Sequence, residues 1–120
     1  WNDFRFRASG TDASGGNYYS ELLDVSGASV SSTRQSAGTS QYALYSDVAG
    51  AYISYEAIIF SPFLNAYTNT ISSANGGHTV ITLRSVSAQH ALANSYDGFT
   101  FITASGSITG KLRVYGLRNS

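Results

Sequence analysis

Polarity in this 120-residue chain alternates with a period of two, and no stretch carries a convincing 3.6-residue period. That pattern restricts the fold to extended strands whose successive side chains point to opposite faces. In Phe4-Arg5-Phe6-Arg7-Ala8 the aromatics take one face and the arginines the other. Residues 17–25 read as a second strand, with Tyr18 and Leu22 facing opposite Tyr19, Leu23 and Val25. Residues 41–47 alternate less strictly around Tyr42, Leu44 and Tyr45. Residues 51–60 form the longest apolar run and predict a central strand, closed by Ser61-Pro62 because proline cannot donate to a ladder.

Further on, residues 79–86 are β-branched, with Ile81 and Leu83 on one face, and residues 88–94 read as a short strand or a one-turn helix. Tyr96-Asp97-Gly98 predicts a turn with Gly98 at positive φ, after which residues 99–103 place Phe99 and Phe101 on one side. Ser105-Gly106-Ser107 makes the next turn. Residues 111–117 predict a last strand, with Leu112 and Val114 opposed to Lys111, Arg113 and Tyr115. Ile108, Leu112 and Val114 are expected to seal the core, so that removing residues 109–120 would abolish folding. Glycine- and hydroxyl-rich residues 9–16 and 26–40 read as loops, the second long enough to hold a short strand around 28–32.

About eight strands joined by Gly, Ser and Asn turns predict an all-β fold, an antiparallel, jelly-roll-like β-sandwich. No internal repeat or boundary divides the chain, so residues 1–120 are read as one domain. At this length a domain buries roughly two thirds of its unfolded surface and can fold without cross-links. There is no methionine, and Trp1 leads directly into strand-like residues. The chain is therefore expected to be a fragment or the ordered part of a longer protein.

Charge excludes several function classes. Charged residues make up 12% of the chain, against about 25% in ordinary soluble domains. A formal net charge of +0, with no clustered basic stripe, argues against capture of nucleic acid or an anionic membrane. No apolar run approaches the ~18 residues that span a bilayer, so no membrane insertion is expected. With no cysteine, neither disulfides nor thiolate chemistry are available. A nearly neutral, hydroxyl-rich surface repels its neighbours weakly and suits packing into an assembly, though a secreted-type β module shares that composition.

Catalytic patterns are missing from the sequence. None of the serines sits in a G-x-S-x-G elbow. The two histidines, His78 and His90, would need a partner such as Asp97 or Asp47, and are expected to be exposed or core-edge imidazoles. Glu21 and Glu56 are the only glutamates, each within a predicted strand. Glu56 interrupts an apolar run and is read as a solvent-facing carboxylate, or one paired with Arg5, Arg84 or Arg113. Residues 11–17 place oxygen donors like a calcium loop but lack a closing acidic residue, and Gly110-Lys111 does not complete a phosphate cradle. No enzyme, metal or cofactor is expected. Nine tyrosines and one tryptophan bear instead on binding, since such rings stack on sugars and fill interfaces. Strands favour tyrosine in any case. Among Tyr18, Tyr19, Tyr52, Tyr55, Tyr67 and Tyr96, the candidates for surface or glycan contact are Tyr18, Tyr19, Tyr67 and Tyr96.

The last third carries a more specific pattern. Residues 95–102, Ser-Tyr-Asp-Gly-Phe-Thr-Phe-Ile, then 104–117, Ala-Ser-Gly-Ser-Ile-Thr-Gly-Lys-Leu-Arg-Val-Tyr-Gly-Leu, resemble the closing segment of a family of tailed-bacteriophage virion proteins. Residues 4–12 look like that family's early strand and turn, and Ile58 to Phe63 with Ala66-Tyr67-Thr68 like its central corner. Residues 20–50 match none of its motifs. The resemblance implies a sandwich or jelly-roll module displayed on the virion, in a tail fibre, tail appendage or head decoration. It also implies a homo-oligomer, with a trimer expected, in contact with other virion proteins and with host-surface glycan as a further partner. The resemblance carries no catalytic residues. The alternative from the residues themselves is a carbohydrate-binding module using Tyr-rich loops.

Overall fold

The computed structural model describes residues 2–39, 42–45, 52–77, 80–103 and 106–116. They form an all-β, antiparallel β-sandwich, with no helix among the described residues. The smaller sheet contains β1 (Asn2–Ala8), β2 (Thr11–Asp12), β5 (Tyr42–Tyr45) and β9 (Gly98–Thr103). The larger contains β3 (Tyr18–Ser26), β4 (Ser29–Thr39), β6 (Tyr52–Phe60), β7 (Ala66–Gly77) and β8 (Thr82–Asn94), in the order β4-β3-β8-β7-β6.

The alternation on β1 builds the smaller sheet's inner face. Phe4 and Phe6 turn inward and are almost fully buried, and β9 runs antiparallel along one edge of β1 from Asn2–Thr103 to Arg7–Gly98. Phe99 stacks on Phe4 at 5.2 Å between ring centroids, and Phe101 meets it edge-on at 5.9 Å. Opposite them, β3 and β8 contribute Tyr18, Leu22, Val86 and Ala88, and Tyr96 completes the buried cluster.

The other edge of β1 is shared end to end by β5, which pairs with Asn2 to Phe4, and β2, which pairs with Arg7 and Ala8. Between them, at Phe6, side chain and loop take over. The Phe6 N–H donates to Tyr18 Oη at 3.0 Å, and the Phe6 carbonyl accepts from the Ala13 N–H at 2.8 Å. Tyr18 Oη then donates to the Ala13 carbonyl at 2.9 Å. A buried backbone amide is thereby satisfied across the two sheets.

Several expectations are corrected. The apolar run of 51–60 forms β6, an edge strand and not a central one. Its two faces are both partly apolar, because Ile53, Tyr55 and Ile59 turn inward while Tyr52, Ile58 and Phe60 face solvent. Residues 26–40 are not mainly loop: β4 spans most of them and pairs with β3 from Ser26–Ser29 to Tyr18–Thr39. Strand β7 had no counterpart in the hydrophobic pattern, since its inward row is Thr68, Thr70, Ser72 and Ala74. Hydroxyls and small side chains alternate there as strictly as apolar ones do elsewhere. Residues 82–94 form one strand, β8, in place of two separate segments, and its inward row Arg84, Val86, Ala88, His90 never breaks its period.

Gly98 is not a positive-φ turn residue; it opens β9 opposite Arg7. Positive φ occurs instead at Gly77, 141°, where a Cβ would stand 2.0 Å from the Val80 carbonyl oxygen. Only glycine fits at that end of β7.

The largest correction concerns the chain end. Residues 106–116 pair with no strand among the described residues, and Ile108, Leu112, Val114 and Tyr115 are each more than half exposed. They do not seal the core. Alternation specifies which side chains share a face but not whether that face meets the core, whose layer is already filled by Phe4, Phe6, Phe99 and Phe101.

Candidate binding surface

The inward side of the larger sheet brings the titratable groups together, and it is closed. His90 lies directly opposite Tyr18 on β3 and Thr68 on β7, and all three are fully buried. Its imidazole meets Tyr18 edge-on at 4.3 Å and Tyr96 at 5.2 Å between centroids, and its Nδ1 is 2.9 Å from Tyr96 Oη. Burial lowers the His90 pKa to about 4 and raises Tyr18 to about 12. Burial likewise raises Tyr96. His90 is a neutral core imidazole at pH 7. A pairing with Asp97 is not formed: the Asp97 Oδ2 accepts from the Ser9 N–H at 3.0 Å. His78 and Asp47 lie outside the described residues.

Other sequence candidates are placed as follows. Glu56 sits on the solvent side of β6, and Arg84 pairs instead with Asp24. Asp12, in the loop read against a calcium site, accepts from Thr100 Oγ1 at 2.7 Å and forms an ion pair with Arg7. Tyr55 is half-buried against Phe101, at 6.3 Å between centroids, and Tyr52 is exposed. Burial raises the pKa of Tyr55, and a hydrogen bond with Ser72 offsets part of that rise.

Two of the four tyrosines expected at the surface are core residues. Tyr18 is 0% exposed and Tyr96 1%, because Tyr18 faces inward on β3 and the Tyr96 ring stacks on Phe6 at 5.1 Å. The other two, Tyr19 and Tyr67, are 40% and 54% exposed on the outward face of the larger sheet.

Register fixes what lies beside Tyr19. Tyr19 on β3 stands opposite Gln89 on β8, Gln89 opposite Asn69 on β7, and Asn69 opposite Phe60 on β6. One residue pair along, Arg34, Glu21, Ser87, Ile71 and Ile58 form the next row. Gln89 Nε2 donates to Asn69 Oδ1 at 3.0 Å, and the Arg34 guanidinium is ion-paired with Glu21. Tyr19, Gln89, Asn69, Ser87, Glu21 and Arg34 line an open depression of about 580 Å³, whose wall includes Ser36 and Gln35 of β4. Tyr67 does not line the same depression. The amides and Ser87 were not singled out in the sequence. Their signal is the alternation of polar groups in 66–77 and 82–94, legible only when both segments are taken as paired strands.

Fold and surface thus define an antiparallel β-sandwich with an open depression on the outward face of its larger sheet. No family model, curated protein or solved structure matches the chain. Among the described residues no group of three or more His, Cys, Asp or Glu could hold a metal ion, and no helix is long and apolar enough to cross a membrane.

Proposed function

We propose that the chain is a non-enzymatic structural module of a tailed-phage virion surface, in a tail fibre, tail appendage or head decoration. In this role it assembles with further copies of itself and with other virion proteins. Support for the virion setting comes from the resemblance carried by residues 4–12, 58–68 and 95–117. Support for assembly comes from one observation, the unpaired chain end.

Residues 106–116 alternate like a strand, expose their apolar side chains and pair with no strand among the described residues. Meanwhile β9 pairs with β1 alone among the described residues, and β4 and β6 are the outer strands of the larger sheet. An unpaired edge is a template for a strand from another chain, and strand addition satisfies backbone groups while burying alternate side chains. Leu112 and Val114 would be the buried row.

Light scattering at micromolar concentration tests this reading. The intact chain is expected to be an oligomer, a trimer in the first instance, and Leu112→Asp with Val114→Asp should give a folded monomer. A wild-type chain that is strictly monomeric overturns assembly through this domain. The neighbouring chains in an intact particle then separate head from tail.

A second reading, a carbohydrate-binding module, is favoured by a different observation: Tyr19 and Tyr67 share one outward face with the Asn69–Gln89 amide pair.

A further inference from the structure

From the outward face of the larger sheet we infer a binding site for a neutral saccharide, centred on Tyr19, Ser87, Gln89 and Asn69 and bounded by the Glu21–Arg34 ion pair. It rests on the second reading above and is independent of the virion assignment. It also moves the site from tyrosine-bearing loops to the sheet itself.

Dimensions come first. Neighbouring strands lie about 4.8 Å apart and same-face residues about 6.8 Å apart along a strand, so two rows over three strands cover roughly 7 by 10 Å. That is the footprint of one or two pyranose rings. The depression of about 580 Å³ over these rows is open, as a site for part of a longer chain must be. Ligand sites of several hundred Å³ with a few convergent polar groups are the ordinary case.

Chemistry selects the ligand class. The Tyr19 ring, 40% exposed, offers an apolar face for the C–H side of a sugar and a hydroxyl at its rim. Beside it, Gln89 and Asn69 spend one donor and one acceptor on each other. Each amide has further donor and acceptor capacity, which suits adjacent hydroxyl groups. Ser87 adds a hydroxyl on the floor.

Charge argues for neutrality. The two charged side chains of the lining, Glu21 and Arg34, already neutralise one another. An anionic ligand would meet the carboxylate and a cationic one the guanidinium. Both sides of the pair can accept or donate to hydroxyls without a net field. The register that aligns these groups is fixed by continuous pairing of β3, β8 and β7, so the site is built before a ligand arrives.

Saturation-transfer and chemical-shift titrations of the intact chain with glucose, galactose, mannose, N-acetylglucosamine and lactose test the proposal. A parallel arm uses N-acetylneuraminic acid and glucosamine as anionic and cationic probes. At least one neutral sugar is expected to bind in the millimolar range, shifting Gln89 and Asn69 amide signals. Tyr19→Ala and Asn69→Ala should each weaken it about tenfold, and Tyr19→Phe should keep most of the affinity. Both side chains are on a solvent face, so the three variants should melt as the wild type does. No binding across the neutral panel, preference for a charged probe, or affinity unchanged in Tyr19→Ala would each overturn the site. Failure here leaves the oligomer measured by light scattering untouched, and a monomer that still binds sugar fails only the assembly reading.

Discussion

Arg84 on β8 and Asp24 on β3 stand directly opposite one another and are joined by two parallel hydrogen bonds, Nε to Oδ1 at 2.5 Å and Nη2 to Oδ2 at 2.7 Å. The arginine side chain is 8% exposed and the aspartate 19%. Removing one partner of such a pair leaves a desolvated charge, so Asp24→Ala should cost about 3–5 kcal/mol in urea unfolding. Replacing both, by Asp24→Leu with Arg84→Met, should recover most of that loss. A single substitution costing under about 0.5 kcal/mol would show the pair to be no more than a surface contact.

Tyr18 carries a hydrogen-bonding role that its ring alone cannot supply. Tyr18→Phe keeps the stacking with Phe6 but strands the Phe6 N–H, whose acceptor is Tyr18 Oη. The expected cost is about 1–3 kcal/mol, the range for a buried donor left unsatisfied. Thermal unfolding with an unchanged midpoint would contradict this account of the gap between β5 and β2.

Thr68 makes the opposite case. Its Oγ1 is buried without a hydrogen-bond partner among the described residues, as are Thr70 Oγ1 and His90 Nε2. Thr68→Val preserves β-branching and volume and removes the desolvated hydroxyl. It should stabilise the fold by about 1 kcal/mol, read from the denaturation midpoint at constant slope. Destabilisation of that size would mean the hydroxyl has a partner.

The His90 pKa is lowered from 6.5 to about 4 by burial, so the unfolded chain binds the proton more readily than the folded one. The stability this group supplies is complete above pH 6.5 and is lost progressively as pH falls towards 4. At about 1.4 kcal/mol per pKa unit, the loss approaches 3 kcal/mol. An NMR titration should find the His90 ring neutral until about pH 4, and a midpoint near that of a free histidine would refute its burial.

Truncation reads the chain end. Deleting residues 109–120 should leave the melting midpoint within a few degrees of the monomeric Leu112→Asp, Val114→Asp variant, because Leu112, Val114 and Tyr115 contribute little buried area within their own fold. Loss of cooperative unfolding would restore them to the core.

Much of the β-structure was legible. Phe4 and Phe6 on one face of β1, Tyr18 and Leu22 opposite Tyr19 and Leu23 on β3, and the paired phenylalanines of β9 all stand as their alternation predicts. The polar strands β4 and β7 were not legible as hydrophobic pattern, because Thr68, Thr70 and Ser72 are buried by their neighbours and not by their own hydrophobicity. Of the four tyrosines read as surface contacts, the sequence could not separate Tyr18 and Tyr96 from Tyr19 and Tyr67, since a tyrosine suits either face of a strand.

By itself, then, the sequence determined that the backbone is extended and which side chains share a face, because a strand's period of two is a local property. Only the tertiary structure decided which of those faces is inside, which strands find a neighbour, and that Tyr19, Ser87, Gln89 and Asn69 meet across three strands. Burial and register depend on contacts between residues far apart in the chain. The same dependence leaves residues 106–116, strand-like in pattern, unpaired among the described residues.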